Sequence, residues 1–181
     1  MSTEVSIFDV HEFVRIREDD GSWQALEADW RSQCEKLDED FDAYAGPTFE
    51  VVAPLARAAE RRAGLFALKD GAEHLAICQV NSAMLPKHDG PVMRVRFITL
   101  SPEFDLTDKN MRDYGDILVS LLFQVVQLAI TDENFGSRHI KFHARSPSDI
   151  NFFSALSHGL SQGEVFHSVQ MSGAWLYITR K

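Results

Sequence analysis

The sequence predicts an α+β fold, close to α/β in its late alternation of elements: a mixed, mostly antiparallel central sheet flanked by helices. Two observations predict it. Before Gly46, aromatic and aliphatic residues recur at helical spacing. From Gly64 onward, short runs rich in apolar and β-branched residues alternate with two further helical segments.

Val10 to Arg17 mixes apolar and charged residues and reads as a strand, with a short helix as the alternative. Gly21-Ser22 opens a long helix in which Trp23, Leu26, Trp30, Leu37, Phe41 and Tyr44 share one face. Glu27, Asp29, Glu35, Asp38, Glu39 and Asp42 occupy the other, and Gly46-Pro47 is expected to end it. A second helix is expected from about Val52 to Ala63, with Pro54 in its first turn. Gly64–Leu68 and Leu75–Met84 read as a hairpin turning at Lys69-Asp70-Gly71, and Val92–Leu100 as a further strand. Tyr114–Thr131 is a strongly apolar helix, and Arg138–Arg145 a strand. Pro147-Ser148-Asp149 caps a helix running to about Ser157. Glu164–Met171 and Ala174–Arg180 read as antiparallel strands joined at Ser172-Gly173.

A chain of 181 residues suits a single domain, mainly helical over 1–63 and sheet-forming over 64–181. A net charge of −9 argues against binding nucleic acid through its phosphates. Two cysteines, Cys34 and Cys78, make no disulfide framework and read as small buried hydrophobes. The acidic Met1–Glu4 start lacks the pattern of a signal peptide, and the most apolar stretch, Ile117–Ile130, is too short to span a bilayer. A cytoplasmic protein that binds no membrane is the expectation.

His139, Lys141, His143 and Arg145 alternate along one strand face. The two histidines stand four residues apart, about 13 Å along a strand, too far to share a metal. No metal site is expected. This face reads first as solvated or cleft-lining; were group transfer to occur, His143 is the candidate general base, its neutral imidazole accepting a proton near pH 7. Ser146-Pro147-Ser148-Asp149 reads as a helix cap rather than a nucleophile.

The element order over Gly64–Arg180, together with three local motifs, resembles the GNAT superfamily of N-acetyltransferases. The first motif is the strand ending at Leu100, followed by Ser101-Pro102-Glu103-Phe104. In that family this strand splays from its neighbour, and a backbone group near the Leu100 position bonds the acyl-thioester arm of coenzyme A. The second is Arg112-Asp113-Tyr114-Gly115-Asp116-Ile117, similar to the family's pyrophosphate loop, in which N–H groups at a helix start hold phosphate. Ile117 stands where the family has Gly or Ala, and Asp105, Asp108, Asp113 and Asp116 surround the segment with negative charge. The third is Phe152-Phe153 followed by Gly159-Leu160. Phe153 occupies the position of the family's proton-donating Tyr and has no proton to give.

The resemblance implies acetyl-CoA or another acyl-CoA as cofactor, held by Leu100, Arg112, Tyr114, Gly115, Asp116 and Phe153, with a small-molecule or protein amine as acceptor. An acidic approach around the Asp-rich loop or Glu164 would steer a cationic amine inward. Three functions stay open: an acyl-CoA-dependent N-acyltransferase; a GNAT-like binding or regulatory module without catalysis; and an enzyme similar to acyl-homoserine-lactone synthases, on the loose likeness of Arg94-Val95-Arg96-Phe97 to their Arg-rich strand. The aromatic face of the first helix reads as core, with an interface, such as that of a homodimer, as the alternative.

Overall fold

The structure is a computed structural model and describes residues 11–181. Its elements are β1 (Glu12–Ile16), α1 (Ser22–Lys36), α2 (Phe41–Tyr44), α3 (Gly46–Arg57), β2 (Ala63–Asp70), β3 (Glu73–Met84) and β4 (Pro91–Leu100), then α4 (Pro102–Asp105), α5 (Met111–Thr131), β5 (His139–His143), α6 (Pro147–Ser161), β6 (Phe166–Ser172) and β7 (Trp175–Arg180). The seven-stranded sheet has the order β1-β2-β3-β4-β5-β7-β6. β1/β2, β5/β7 and β6/β7 pair antiparallel, while β4/β5 is parallel, so the sheet is mixed as expected. Val10 and the Met1–Glu4 start lie outside the described residues. The chain divides into two compact units, each with strands of its own.

The first unit comprises residues 11–60, Gly64–Cys78 and Thr99–Val125. Helix α1 follows Gly21 (φ +81°) and buries Trp23, Leu26, Trp30 and Cys34 on one face. Periodicity alone carries this helix to Tyr44. The chain instead leaves it at Leu37, and Asp38 takes a left-handed φ of +57°. Asp40 then starts α2 by accepting from the Asp42 N–H (2.9 Å). Gly46-Pro47, expected as a terminator, begins α3, with proline in the first turn where its missing N–H costs nothing. Pro54 thus lies inside α3; it and Glu50, whose carbonyl it leaves unbonded, are exposed, so water can take that bond. Phe49 joins the layers, its ring 5.1 Å from Trp23, 5.4 Å from Trp30 and 5.2 Å from Phe41. The aromatic face is core in this unit.

Helix α5 begins at Met111, three residues before the expected start. By length and composition it is apolar enough to cross a membrane, and Ile117, Leu118, Leu121, Leu122 and Val125 on it are buried. On the same helix Ser120 bonds the His11 ring (2.8 Å), and Gln124 donates to the His11 carbonyl (2.8 Å).

The second unit comprises Arg61–Ala63, Gln79–Ile98 and Val126–Lys181. Side chains alternate across its strands. Met93, Val95, Ile140, Phe142, Leu176 and Ile178 are buried on one face, where Phe153 of α6 approaches Phe142 (ring centroids 6.2 Å apart). A capping box closes the start of α6: the Ser146 hydroxyl accepts from the Asp149 N–H, and the Asp149 carboxylate accepts from the Ser146 N–H (3.0 Å each). Gly159, expected at the step into the next strand, lies inside α6, which runs on to Ser161; β6 starts later, at Phe166. The opposite face carries Arg94, Arg96, His139, Lys141, His143, Trp175 and Tyr177, brought side by side by the pairs Arg94↔Lys141, Lys141↔Tyr177 and His143↔Trp175.

Candidate functional site

The parallel ladder between β4 and β5 is short. It joins Val92–Val95 to His139–Phe142 and stops. Two residues later, still within β4, Phe97 adopts a φ of +52°, a conformation that bulky L-residues rarely take. Where the ladder ends, a pocket of about 260 Å³ opens, lined by Arg96, Phe97, His143, Arg145 and Trp175. Strand alternation supplies Arg96 and His143. Trp175 arrives through the antiparallel β5/β7 pairing, and Arg145 from the turn into α6.

The pocket is ringed by cations resting on aromatic faces. The Arg96 guanidinium lies 5.5 Å from the Trp175 ring, Lys141 4.5 Å from Trp175 and 4.6 Å from Tyr177, and Arg145 5.6 Å from Phe97. The His143 ring stands 4.7 Å from Trp175. Burial, and then the Arg96 and Arg145 charges, push the His143 pKa below the ordinary histidine value, against an opposing pull from Asp149. This environment disfavours the imidazolium and favours the neutral ring, the form that accepts a proton. Glu164 is not among the lining residues.

The other residues singled out in the sequence fall elsewhere. Phe153 is 2 % exposed and packs between Phe142 and Phe152 in the core of the second unit. Leu100 is buried at the end of β4 in the first unit, where its carbonyl accepts from the Tyr44 hydroxyl (2.9 Å). That phenol also reaches Asp105 (3.1 Å), and burial followed by the Asp105 charge holds its pKa well above the ordinary value.

Arg112, Tyr114, Gly115 and Asp116 lie within the first turns of α5 rather than in a loop before it. Asn110 already caps that helix, its side-chain oxygen accepting from the N–H groups of Arg112 (2.9 Å) and Asp113 (3.0 Å). Arg112 is exposed and stands 3.9 Å from Asp116. A diphosphate would have to displace the Asn110 cap, so the helix start fits that group poorly as it stands. The open end of the β4–β5 ladder instead has the His143 imidazole beside it and no capping side chain among the pocket's lining residues.

The first unit has a larger, shallow groove of about 600 Å³ across α1, α2 and α3, where Arg31 is matched by Glu27 (2.9 Å) and Asp42 (3.1 Å). Among the described residues, no group of three or more His, Cys, Asp or Glu side chains is placed to hold a metal ion. In the sequence Phe97 enters only as the end of the Arg94-Val95-Arg96-Phe97 run, and Trp175 not at all. The alternation of Arg94 and Arg96 was the one available signal, and nothing local marks Trp175 as a partner of His143.

No family model and no curated protein matches the sequence. Solved structures do match in fold. A probable acetyltransferase from Staphylococcus epidermidis superposes with a TM-score of 0.52 at 11% identity, over 94% of this chain and 99% of the other. An integron cassette protein from V. cholerae gives 0.53 at 15% identity, over 91% and 93% of the two chains. An aminoglycoside acetyltransferase from an uncultured soil metagenomic sample gives 0.51 at 13% identity, over 90% and 97%. With the parallel β4–β5 pair that parts at Phe97, these likenesses identify the chain's fold as that of the GNAT acetyltransferases.

Proposed function

We propose that the chain is an acyl-CoA-dependent N-acyltransferase whose acceptor amine enters the pocket at the end of the β4–β5 ladder. The observation that supports it is the His143 imidazole lining a pocket where the parallel β4–β5 ladder ends. Acyl-CoA, when bound, supplies the activated thioester. Transfer from it would form a C–N bond to the acyl carbon as the C–S bond breaks with its electron pair to sulfur, and the amine nitrogen would shed one proton. His143 accepts that proton. Arg96, Lys141 and Arg145 depress the pKa of an amine placed among them, so it enters as the neutral nucleophile. Phe153 is buried and has no proton to give, so a departing thiolate would take its proton from solvent. Within the first unit, Arg112, Tyr114, Gly115 and Asp116 lie in the first turns of α5, where the Asn110 cap takes the N–H groups of Arg112 and Asp113, and Leu100 lies at the end of β4.

The Asn110 cap and the buried Phe153 favour a second reading, a domain of the same fold that binds a partner without transferring anything. Thermal melting with millimolar acetyl-CoA separates the two. A ligand at a hundred times its Kd adds about 2.7 kcal/mol of stability, which for a chain of this length raises Tm by roughly 5–10 °C. An unshifted Tm overturns the transferase reading and leaves the second.

A further inference from the structure

We infer that the pocket at the β4–β5 opening is a carboxylate seat, so that the acceptor is an amine that also carries a carboxylate, the class that includes free amino acids. The amine rests on the transfer reading above; the carboxylate seat rests on the pocket's own geometry.

The lining presents two guanidiniums, Arg96 and Arg145, and no carboxylate. The Lys141 ammonium adds a third cation against Trp175. A pocket of this charge repels a purely cationic amine, opposite to the acidic steering expected from the sequence. The Nε atoms of Arg96 and of Arg94, two residues along the same face, are buried with no hydrogen-bond partner among the described residues. Buried N–H groups without acceptors are rare because each carries the full cost of its lost hydration. A carboxylate offers two oxygens in the geometry a guanidinium fork accepts. Burial and the adjacent Arg96 charge also lower the Arg94 pKa, and an anion seated against Arg96 in the pocket would offset that charge. Asp149 is the acid that acts on His143, but its carboxylate accepts from the Arg145 and Ser146 N–H groups as the cap of α6.

Size decides which oxyanion fits. The pocket, about 260 Å³, falls below the roughly 300–1,000 Å³ of sites for drug-sized ligands. An amino-acid-sized body enters it with its apolar part against Trp175 and Phe97; an adenine nucleotide does not. The seat therefore belongs to the acceptor and not to a phosphate of the cofactor.

The test is an NMR titration of the His143 ring, assigned by comparison with His143→Gln, with no acyl-CoA present. The probes are phenylacetate, L-phenylalanine and 2-phenylethylamine, the last sharing the skeleton of phenylalanine without the carboxylate. Both acids are expected to shift the His143 resonances and raise its titration midpoint, because a nearby anion favours the imidazolium; 2-phenylethylamine should do neither. Arg96→Gln should weaken binding of the acids by roughly ten- to a hundredfold, the worth of a charge-assisted hydrogen bond. Arg145→Gln, at an exposed position, should weaken it too and carries the test if Arg96→Gln does not fold. The inference is overturned if the amine binds as tightly as the acids, or if the folded variants bind the acids like the parent. It is overturned equally if 3′,5′-ADP competes with phenylacetate and loses affinity in Arg96→Gln, since that puts a cofactor phosphate in the seat. Acid binding alongside an unshifted Tm with acetyl-CoA would remove the transfer reading and leave the seat; the reverse pattern would remove the seat alone.

Discussion

Replacing Asp29 with alanine is expected to cost about 3 kcal/mol of stability at pH 7. Asp29 projects from α1 and ties it to the start of β3. One of its oxygens accepts the His74 backbone N–H (2.6 Å) and lies 2.9 Å from the His74 ring nitrogen, and the other accepts from Gln33 (3.2 Å). His74 is 3 % exposed, and its carbonyl takes the Trp30 indole N–H (2.9 Å), so the backbone there cannot turn to water for a substitute. A hydrogen bond to an ionised group contributes about 1.5–3 kcal/mol, and a buried donor left unpaired costs about 1–3. These figures overlap rather than add, which gives the central value. For a chain of this length the Tm should fall by roughly 6–12 °C. Urea unfolding followed by tryptophan fluorescence measures it directly, and a cycle with His74→Ala separates the pair from the two side chains. The effect also has a pH signature. Burial works against the ionised form of Asp29, but the bonds from His74 and Gln33 outweigh it and hold the pKa below the ordinary carboxylate value. A depressed carboxylate pKa means stability that is complete above that ordinary value, about 4, and is lost as pH falls through the lower folded value. The gap between parent and variant should therefore be constant near neutrality and close in acid. A loss under about 1 kcal/mol at pH 7, or a gap that widens in acid, refutes the assignment.

Phe153→Tyr should lower the Tm without raising any acyl-transfer rate, because the new hydroxyl enters a core beside Phe142 at a cost of about 1–3 kcal/mol; a rate gain of about a hundredfold, the low end for a general acid, would show the position to be catalytic. With His143 as base, the transfer rate should rise from acid pH with a midpoint below the ordinary histidine value of about 6.5. His143→Gln should flatten that profile, while Arg96→Gln should move its midpoint upward by removing a cation that disfavours the imidazolium. Asn110→Ala should destabilise the chain by about 1 kcal/mol through the lost cap of α5, read as a lower urea midpoint; an unchanged midpoint would mean the cap is not formed in solution.

Much of this fold is legible in the order of periodic segments, because strand alternation and helical spacing are local. Val92–Leu100, Tyr114–Thr131 and Ala174–Arg180 all match structural elements to within a few residues. The first helix misleads for a local reason too. Leu37, Phe41 and Tyr44 keep the phase of Trp23 and Trp30, so periodicity runs straight through a break that lies in the backbone of Asp38. The same break makes Gly46-Pro47 a beginning instead of an end. The site is less legible, since its parts meet through strand pairing between distant segments. His143 and Arg96 announce themselves by alternation, but Trp175 reaches them only through the β5/β7 register. Phe153 shows the converse: its place in a motif suggests a site, while its burial against Phe142 and Phe152 was not legible from the motif.

The bend at Phe97 also decides how this position tolerates change. Holding a bulky residue at φ +52° costs of order 1–3 kcal/mol. Glycine would relieve that cost, asparagine part of it, and a β-branched residue would add to it. A library at position 97 screened only for folded protein should thus drift toward glycine. A library screened for ligand capture should keep the ring, since Phe97 walls the pocket and carries Arg145 on its face. The side chain at 97 is where the two selections part company, and their divergence would measure how much conformational stability the chain gives up to keep its pocket open.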